Sequence, residues 1–319
     1  MSRTDTAPQP SADCTADAEG ALTFELTVSD GTLPDGTVSD GTVSDGTVSD
    51  GTVSDVTASR PAALVLKRRS SDDRVTLALT ATGDGRLRTV LSAGVELAEG
   101  RWDVFAECGS EGERRIDPGL RDLRMLVDRM PPAAARTVVA RVPYRTVNGK
   151  LSLRCWMRSP HAEAGELTVR DGALTVRGQL YGSVLGAHAA VQARLRGARG
   201  HVHREAVTGD ADGGFSCTLP YRPLAGDGAA ESRLWDLSLL PEGPNGPEIR
   251  ISRILDDLAD RKSVFVYPPS FFAVTDRGSG EGDTDAGGDG RGGADPVARA
   301  APYYTVDNDL SVRVDFRSR

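Results

Sequence analysis

"PYRTVNGKLSLR", Pro143 to Arg154, recurs as "PYYTVDNDLSVR", Pro302 to Arg313. Each copy reads as a β-hairpin. β-branched and aromatic residues flank a tight turn, and Asn148-Gly149 supplies residue types that accept positive φ. Working outward, three more anchors fall in the same order in both halves. "GALTFELTV", Gly20 to Val28, matches "GALTVRGQL", Gly172 to Leu180. "DGRLRTVL", Asp84 to Leu91, matches "DGGFSCTL", Asp212 to Leu219. "RWDVF", Arg101 to Phe105, matches "LWDLS", Leu234 to Ser238. Ordered anchors of this kind indicate a duplicated domain.

The segments are short, roughly alternating and separated by turn signals about every 8–12 residues, the rhythm of a sandwich. The sequence therefore predicts an all-β chain of two tandem immunoglobulin-like β-sandwiches, over 18–157 and 165–316. A disordered tail is expected at 1–17, a linker at 158–164 and a short tail at 317–319. Each domain is expected to hold one short helix or turn, around Leu120–Met130 and Ile251–Arg261. Each also carries one low-complexity loop. In the first, "GTVSD" repeats four times from Gly36 to Asp55, within a flexible loop spanning 29–59. In the second, the Gly/Asp-rich stretch is 277–296. A period of five gives no buried stripe in a strand or a helix, so the pentapeptide tract is expected to stay solvated.

The bulk numbers narrow the function. Acidic residues (46) exceed basic ones (38), giving a net charge of −8 with no basic cluster, which argues against nucleic acid as a partner. The N-terminus lacks an apolar signal region, and no apolar run approaches the ~18 residues of a membrane span. A cytoplasmic location is expected, or a peripheral one at the inner face of the cell membrane. Cys14, Cys108, Cys155 and Cys217 show no CxxC spacing and read as buried thiols.

Chemical motifs mostly fail. "GDGRGG", Gly288 to Gly293, lacks the strand and helix that a dinucleotide fingerprint needs. "DTDAGG", Asp283 to Gly288, departs from a calcium loop at its later positions. His201 and His203 could share a strand face, but no third metal ligand is nearby. No catalytic residue, metal set or cofactor motif is singled out. Trp102-Asp103 and Trp235-Asp236 fit core tryptophans on central strands, with a sugar-stacking platform as the alternative. Arg154 and Arg313 complete the repeat anchors. Tyr144, Tyr303 and Tyr304 are the candidate ligand-binding residues; packing at a sandwich corner is the other reading of these tyrosines.

A WD dipeptide on a strand followed by "PYxTxxxxLSxR" resembles the β-sandwich accessory modules of bacterial wall-teichoic-acid-type glycosyltransferases and related glycerophosphotransferases. The matching residues are Trp102, Asp103, Pro143, Tyr144, Thr146, Leu151, Ser152 and Arg154. Their counterparts are Trp235, Asp236, Pro302, Tyr303, Thr305, Leu310, Ser311 and Arg313. The resemblance implies a non-catalytic module whose partners are such a transferase and a wall glycopolymer. This sequence departs from the family in showing no nucleotide-sugar fold. A freestanding carbohydrate binder and an enzyme with an unrecognised site remain the alternatives.

Overall fold

The computed structural model describes residues 9–28, 61–109, 112–132, 134–198, 200–226, 232–274 and 297–316. The pentapeptide tract within 29–59, the stretch 277–296 and the tail 317–319 lie outside the described residues. The first series of strands is β1 (Pro10–Ala16), β2 (Leu22–Val28), β3 (Ala63–Arg68), β4 (Arg74–Ala78), β5 (Thr80–Ala81), β6 (Leu87–Leu91), β7 (Gly100–Glu107), β8 (Glu113–Arg115), β9 (Asp117–Asp122), β10 (Val138–Arg145) and β11 (Leu151–Arg158). The second is β12 (His161–Arg170), β13 (Ala173–Tyr181), β14 (Ala190–Leu195), β15 (Val202–Ala206), β16 (Thr208–Gly209), β17 (Gly214–Pro220), β18 (Arg233–Leu240), β19 (Ile249–Ser252), β20 (Ser270–Ala273), β21 (Val297–Tyr304) and β22 (Leu310–Phe316). The chain is an all-β sandwich protein.

Two compact units emerge, Met1–Leu126 with Arg141–Cys155, and Val127–Ala140 with Trp156–Arg319. In the first, β5-β6-β2-β1-β9 form one sheet and β10-β11-β7-β3-β4 the other, with β8 beside β7. Alternation builds the core. Leu22, Phe24 and Leu26 point inward from β2, and Trp102, Val104 and Ala106 from β7. Each large side chain so buried contributes roughly 1.5–3 kcal/mol. In the second unit the path β16-β17-β13-β12-β19-β18-β22-β21-β20 is continuous, and β14 pairs with β15 and β18.

The registers carry the duplication. Leu22 pairs with Leu91 as Leu174 pairs with Leu219. Trp102 pairs with Leu153 as Trp235 pairs with Val312. In the second unit β19 crosses between sheets, antiparallel to β18 and parallel to β12. The first unit performs the same crossing with two strands: β8 runs antiparallel to β7 and β9 parallel to β1. The hairpin turns match too. Gly149 (φ 77) and Asn308 (φ 62) hold the same left-handed position, where glycine is strain-free and asparagine is tolerated.

Three expectations are corrected. The tail expected at 1–17 contains β1, a full partner of β2 and β9, with Ala12, Cys14 and Ala16 buried. The linker expected at 158–164 is largely strand, because the small residues Ala162 and Ala164 of β12 are core residues. The short helix or turn expected around Leu120–Met130 is present as the 3-10 turn Arg124–Leu126 after β9, whereas around Ile251–Arg261 β19 is followed by irregular backbone. In that backbone, N–H groups go to side chains instead of to a preceding helical turn. Ile254 and Leu255 donate to the Glu163 carboxylate, and Arg261 donates to Asn308 Oδ1. The single α-helical turn among the described residues is Arg222–Ala225.

Candidate functional site

The WD dipeptides occupy the same place in each unit. Both indoles are buried and donate to a carbonyl of the preceding connection, Trp102 to Ala98 and Trp235 to Leu224, at 3.0 and 3.1 Å. They are core residues, not a stacking platform. The following aspartate points to the other face and gathers a polar cluster. Asp103 Oδ1 accepts from Arg69 Nη2 at 2.8 Å and from Ser152 Oγ at 2.8 Å, while Arg115 Nη1 lies 2.8 Å from Oδ2. Asp236 Oδ1 accepts from Arg196 Nη2 and from Ser311 Oγ at 3.0 Å, with Arg250 Nη2 at 3.5 Å. Arg115 also donates to the Leu151 carbonyl and Arg250 to the Leu310 carbonyl. One aspartate, one serine and two arginines thus tie β7, β8 and β11 together in the first unit. They tie β18, β19 and β22 together in the second.

Burial alone pushes the Asp103 carboxyl up. Hydrogen bonds from Arg69 and Ser152 and the charge of Arg115 outweigh it and hold the group below the usual carboxylate range. Asp236 is held down in the same way, burial opposing Arg196, Arg250 and Ser311. A second repeated ion pair flanks the cluster, Lys67 with Glu113 and Arg194 with Glu248.

The three candidate tyrosines separate. Tyr144 and Tyr303 are half-buried, beside Arg69 and Arg196 respectively. Tyr304 is fully buried, with Phe265 edge-on at 6.2 Å and Tyr267 at 6.5 Å. It is a core residue, because successive residues of β21 face opposite sides. The repeat arginines differ as well: Arg154 is buried, while the Arg313 side chain is exposed and donates to Asp315.

Tyr303 opens onto a groove of about 420 Å³ in the second unit, lined also by Arg196, Lys262, Arg313, Phe265, Tyr267 and apolar neighbours such as Leu234 and Pro302. Its aromatic wall comes from the segment between β19 and β20. That segment is fixed by Arg261, which is fully buried, paired with Asp256 and laid over the rings of Phe265 and Tyr304 at 5.1 and 5.9 Å. Cation–π contact compensates part of that burial.

Sequence reasoning missed the arginine partners, which sit on strands far from the WD anchors. It also missed His161, whose Nε2 lies 2.7 Å from Glu163 Oε2. The only prior signal was a His-x-Glu spacing on one strand face. His201 is exposed and His203 half-buried, with His203 Nε2 2.7 Å from Glu205 Oε1, and no metal-holding cluster occurs among the described residues. All four cysteines are buried and unbridged, and burial pushes the thiols of Cys14, Cys155 and Cys217 up to about 12. No helix among the described residues is long and apolar enough to cross a membrane.

Fold and site together define a duplicated all-β sandwich with one polar clamp per unit. No protein-family model matches the chain, and no curated protein does. Among solved structures it is similar to S. aureus TarS at 14% identity and a TM-score of 0.29, over 66% of this chain and 35% of that one. A fragment of TarS gives 14% identity and 0.29, over 67% of this chain and 56% of the fragment. A maltotriose-bound pullulanase from Anoxybacillus sp. LM18-11 gives 10% identity and 0.21, over 75% of this chain and 25% of that one. The chain therefore spans only part of each of these three.

Proposed function

We propose that the chain is a non-catalytic accessory module, two tandem immunoglobulin-like sandwiches that support a transferase building or modifying a teichoic-acid-like glycopolymer of the cell envelope. The observation that carries this reading is the duplicated clamp. The polar residues shared by the two copies, Asp103 with Ser152 and Asp236 with Ser311, bond to arginines and backbone within their own unit. They serve the scaffold, which is what a module that presents surfaces requires. The "PYxTxxxxLSxR" resemblance supplies the kind of partner, and its setting would be the inner face of the cell membrane.

A freestanding carbohydrate binder is the second reading, favoured by the groove at Tyr303. Affinity capture of the intact chain from its native cells decides between the two. A co-purifying glycosyl- or glycerophosphotransferase supports the accessory role. Its absence, together with retention of the chain on isolated wall polymer, supports the binder. Failure of both assays overturns both.

A further inference from the structure

The groove at Tyr303 brings three cations, Arg196, Lys262 and Arg313, to one wall system, and no carboxylate side chain lines it. Arg196 and Arg313 are oriented by carboxylates behind them, Asp236 and Asp315. Arg313 spends its Nε on Asp315, which leaves the fork of terminal nitrogens that suits an oxyanion. Among the described residues no carboxylate pairs with the Lys262 ammonium, and its side chain is on an exposed segment. Tyr267 and Tyr303 line the same groove, together with Phe265, whose ring carries Arg261. Such flat faces pack against the C–H faces of sugar or polyol units, and the volume suits one or two of them.

The first unit argues that this is a built feature and not a by-product of the repeat. It retains the counterparts Arg69 and Tyr144. The position of Arg313 is held there by Arg154, which is buried, and β20 with the aromatic segment before it has no counterpart among the described strands.

We propose that the groove binds an anionic saccharide. A sugar or polyol unit packs on the aromatic wall, and its phosphodiester or carboxylate is held by Lys262 and Arg313. The proposal rests on the accessory-module reading for its setting and names the ligand chemistry of that module.

The test is calorimetric titration of the intact chain with four probes: a glycerol-phosphate oligomer, a hyaluronate oligosaccharide, cellotriose and oligothymidylate. The expected result is saturable binding of at least one of the first two, weakened by added salt. Cellotriose and oligothymidylate should bind at least about tenfold more weakly. A preference between the first two tells a phosphodiester ligand from a carboxylate one. Lys262→Glu and Arg313→Gln, at exposed side chains, should each weaken binding about tenfold with unchanged melting temperature. The proposal is overturned if neither anionic saccharide binds, if both variants bind like the parent, or if oligothymidylate binds as well as the saccharides. The outcome is separable from the accessory role. A chain that recruits a transferase but binds no probe loses the groove alone. One that binds through Lys262 but recruits nothing loses the accessory role alone.

Discussion

The two units close the same hairpin with different residues at one position. Gly149 in the first has no side chain. Asn308 in the second sits fully buried and holds the added segment, accepting from the Arg261 backbone N–H at 3.1 Å and donating to the Leu258 carbonyl at 3.1 Å. Its own carbonyl accepts from Arg253 N–H at 3.0 Å. The clamp around the WD aspartate is common to both units, while the wall that forms the Tyr303 groove belongs to the second. Scaffold and specialisation therefore reside in different residues, and each can be removed separately.

The largest break in the comparison should come from Arg261→Met. It leaves Asp256 in the interior with only the longer Arg253 contact, at 3.5 Å, and takes away the plane that Phe265 and Tyr304 pack on. Removing one partner of a buried pair costs about 3–5 kcal/mol. Urea denaturation should show a loss of that size, and the Asp256→Leu/Arg261→Met double variant should recover much of it. A single-variant loss below about 1 kcal/mol would mean that the segment is not anchored by this pair.

Asn308→Gly comes next. Glycine keeps the left-handed backbone and makes the second turn resemble the first. The change removes both side-chain hydrogen bonds to the 258–261 segment and leaves the Arg261 N–H and Leu258 carbonyl without them. The expected cost is about 1–3 kcal/mol, with faster amide exchange at residues 258–265. The matching Gly149→Asn change should stay within about 1 kcal/mol, since asparagine tolerates this φ. Equal effects at the two positions would remove the distinction between the units.

The repeat itself was legible in the sequence because its anchors are strand residues whose partners recur in register: Leu22 with Leu91, Leu174 with Leu219. The all-β class followed from the same pattern. β1 was illegible because "PSADCTA" alternates small and polar residues, so its hydrophobic signal is weak although every second residue is buried. The short helix or turn expected around Ile251–Arg261 did not form there, for a tertiary reason. "ISRILDDLADR" has helical spacing of apolar residues, but Glu163 and Asn308, distant in sequence, capture its backbone N–H groups. Of the candidate tyrosines, Tyr303 reached a groove and Tyr304 did not. A two-residue period separates adjacent residues, but which face is buried depends on the segment after β19. The two arginines of each clamp were unreadable because no local spacing relates Arg69 to Asp103, or Arg196 to Asp236.

A smaller effect is expected at the shared clamp. Asp103→Asn and Asp236→Asn each remove a carboxylate that is only partly buried, so solvent screening limits the loss to about 1 kcal/mol at neutral pH. The pH dependence follows from the direction of the shifts. Both folded-state pKa values lie below the usual aspartate value. The clamp's contribution is therefore complete above about pH 4 and declines as pH falls through the depressed folded values. The gap in denaturation midpoint between parent and variant should narrow on acidification below that point, in both units alike. A gap that widens in acid would contradict ionised clamps.

The smallest effect is expected where the sequence is loudest. The four "GTVSD" copies fall in the connection between Val28 and Ala63, that is, between β2 and β3. The second unit joins the equivalent strands, β13 and β14, over only Gly182–Ala189. The register of β3 against β7 matches that of β14 against β18 despite this difference: Arg68 lies opposite Trp102 as Leu195 lies opposite Trp235. The strands are thus placed by their pairing and not by the length of what joins them. Cutting the tract to one copy shortens the connection by less than half. Loop closure changes by only about 0.6 kcal/mol per doubling, so the trimmed chain should gain no more than that. Its melting temperature and titration behaviour should match the parent's. A loss above about 1 kcal/mol would show that the tract contributes contacts to the first unit, and the two copies would then differ in their scaffold as well as in their surfaces.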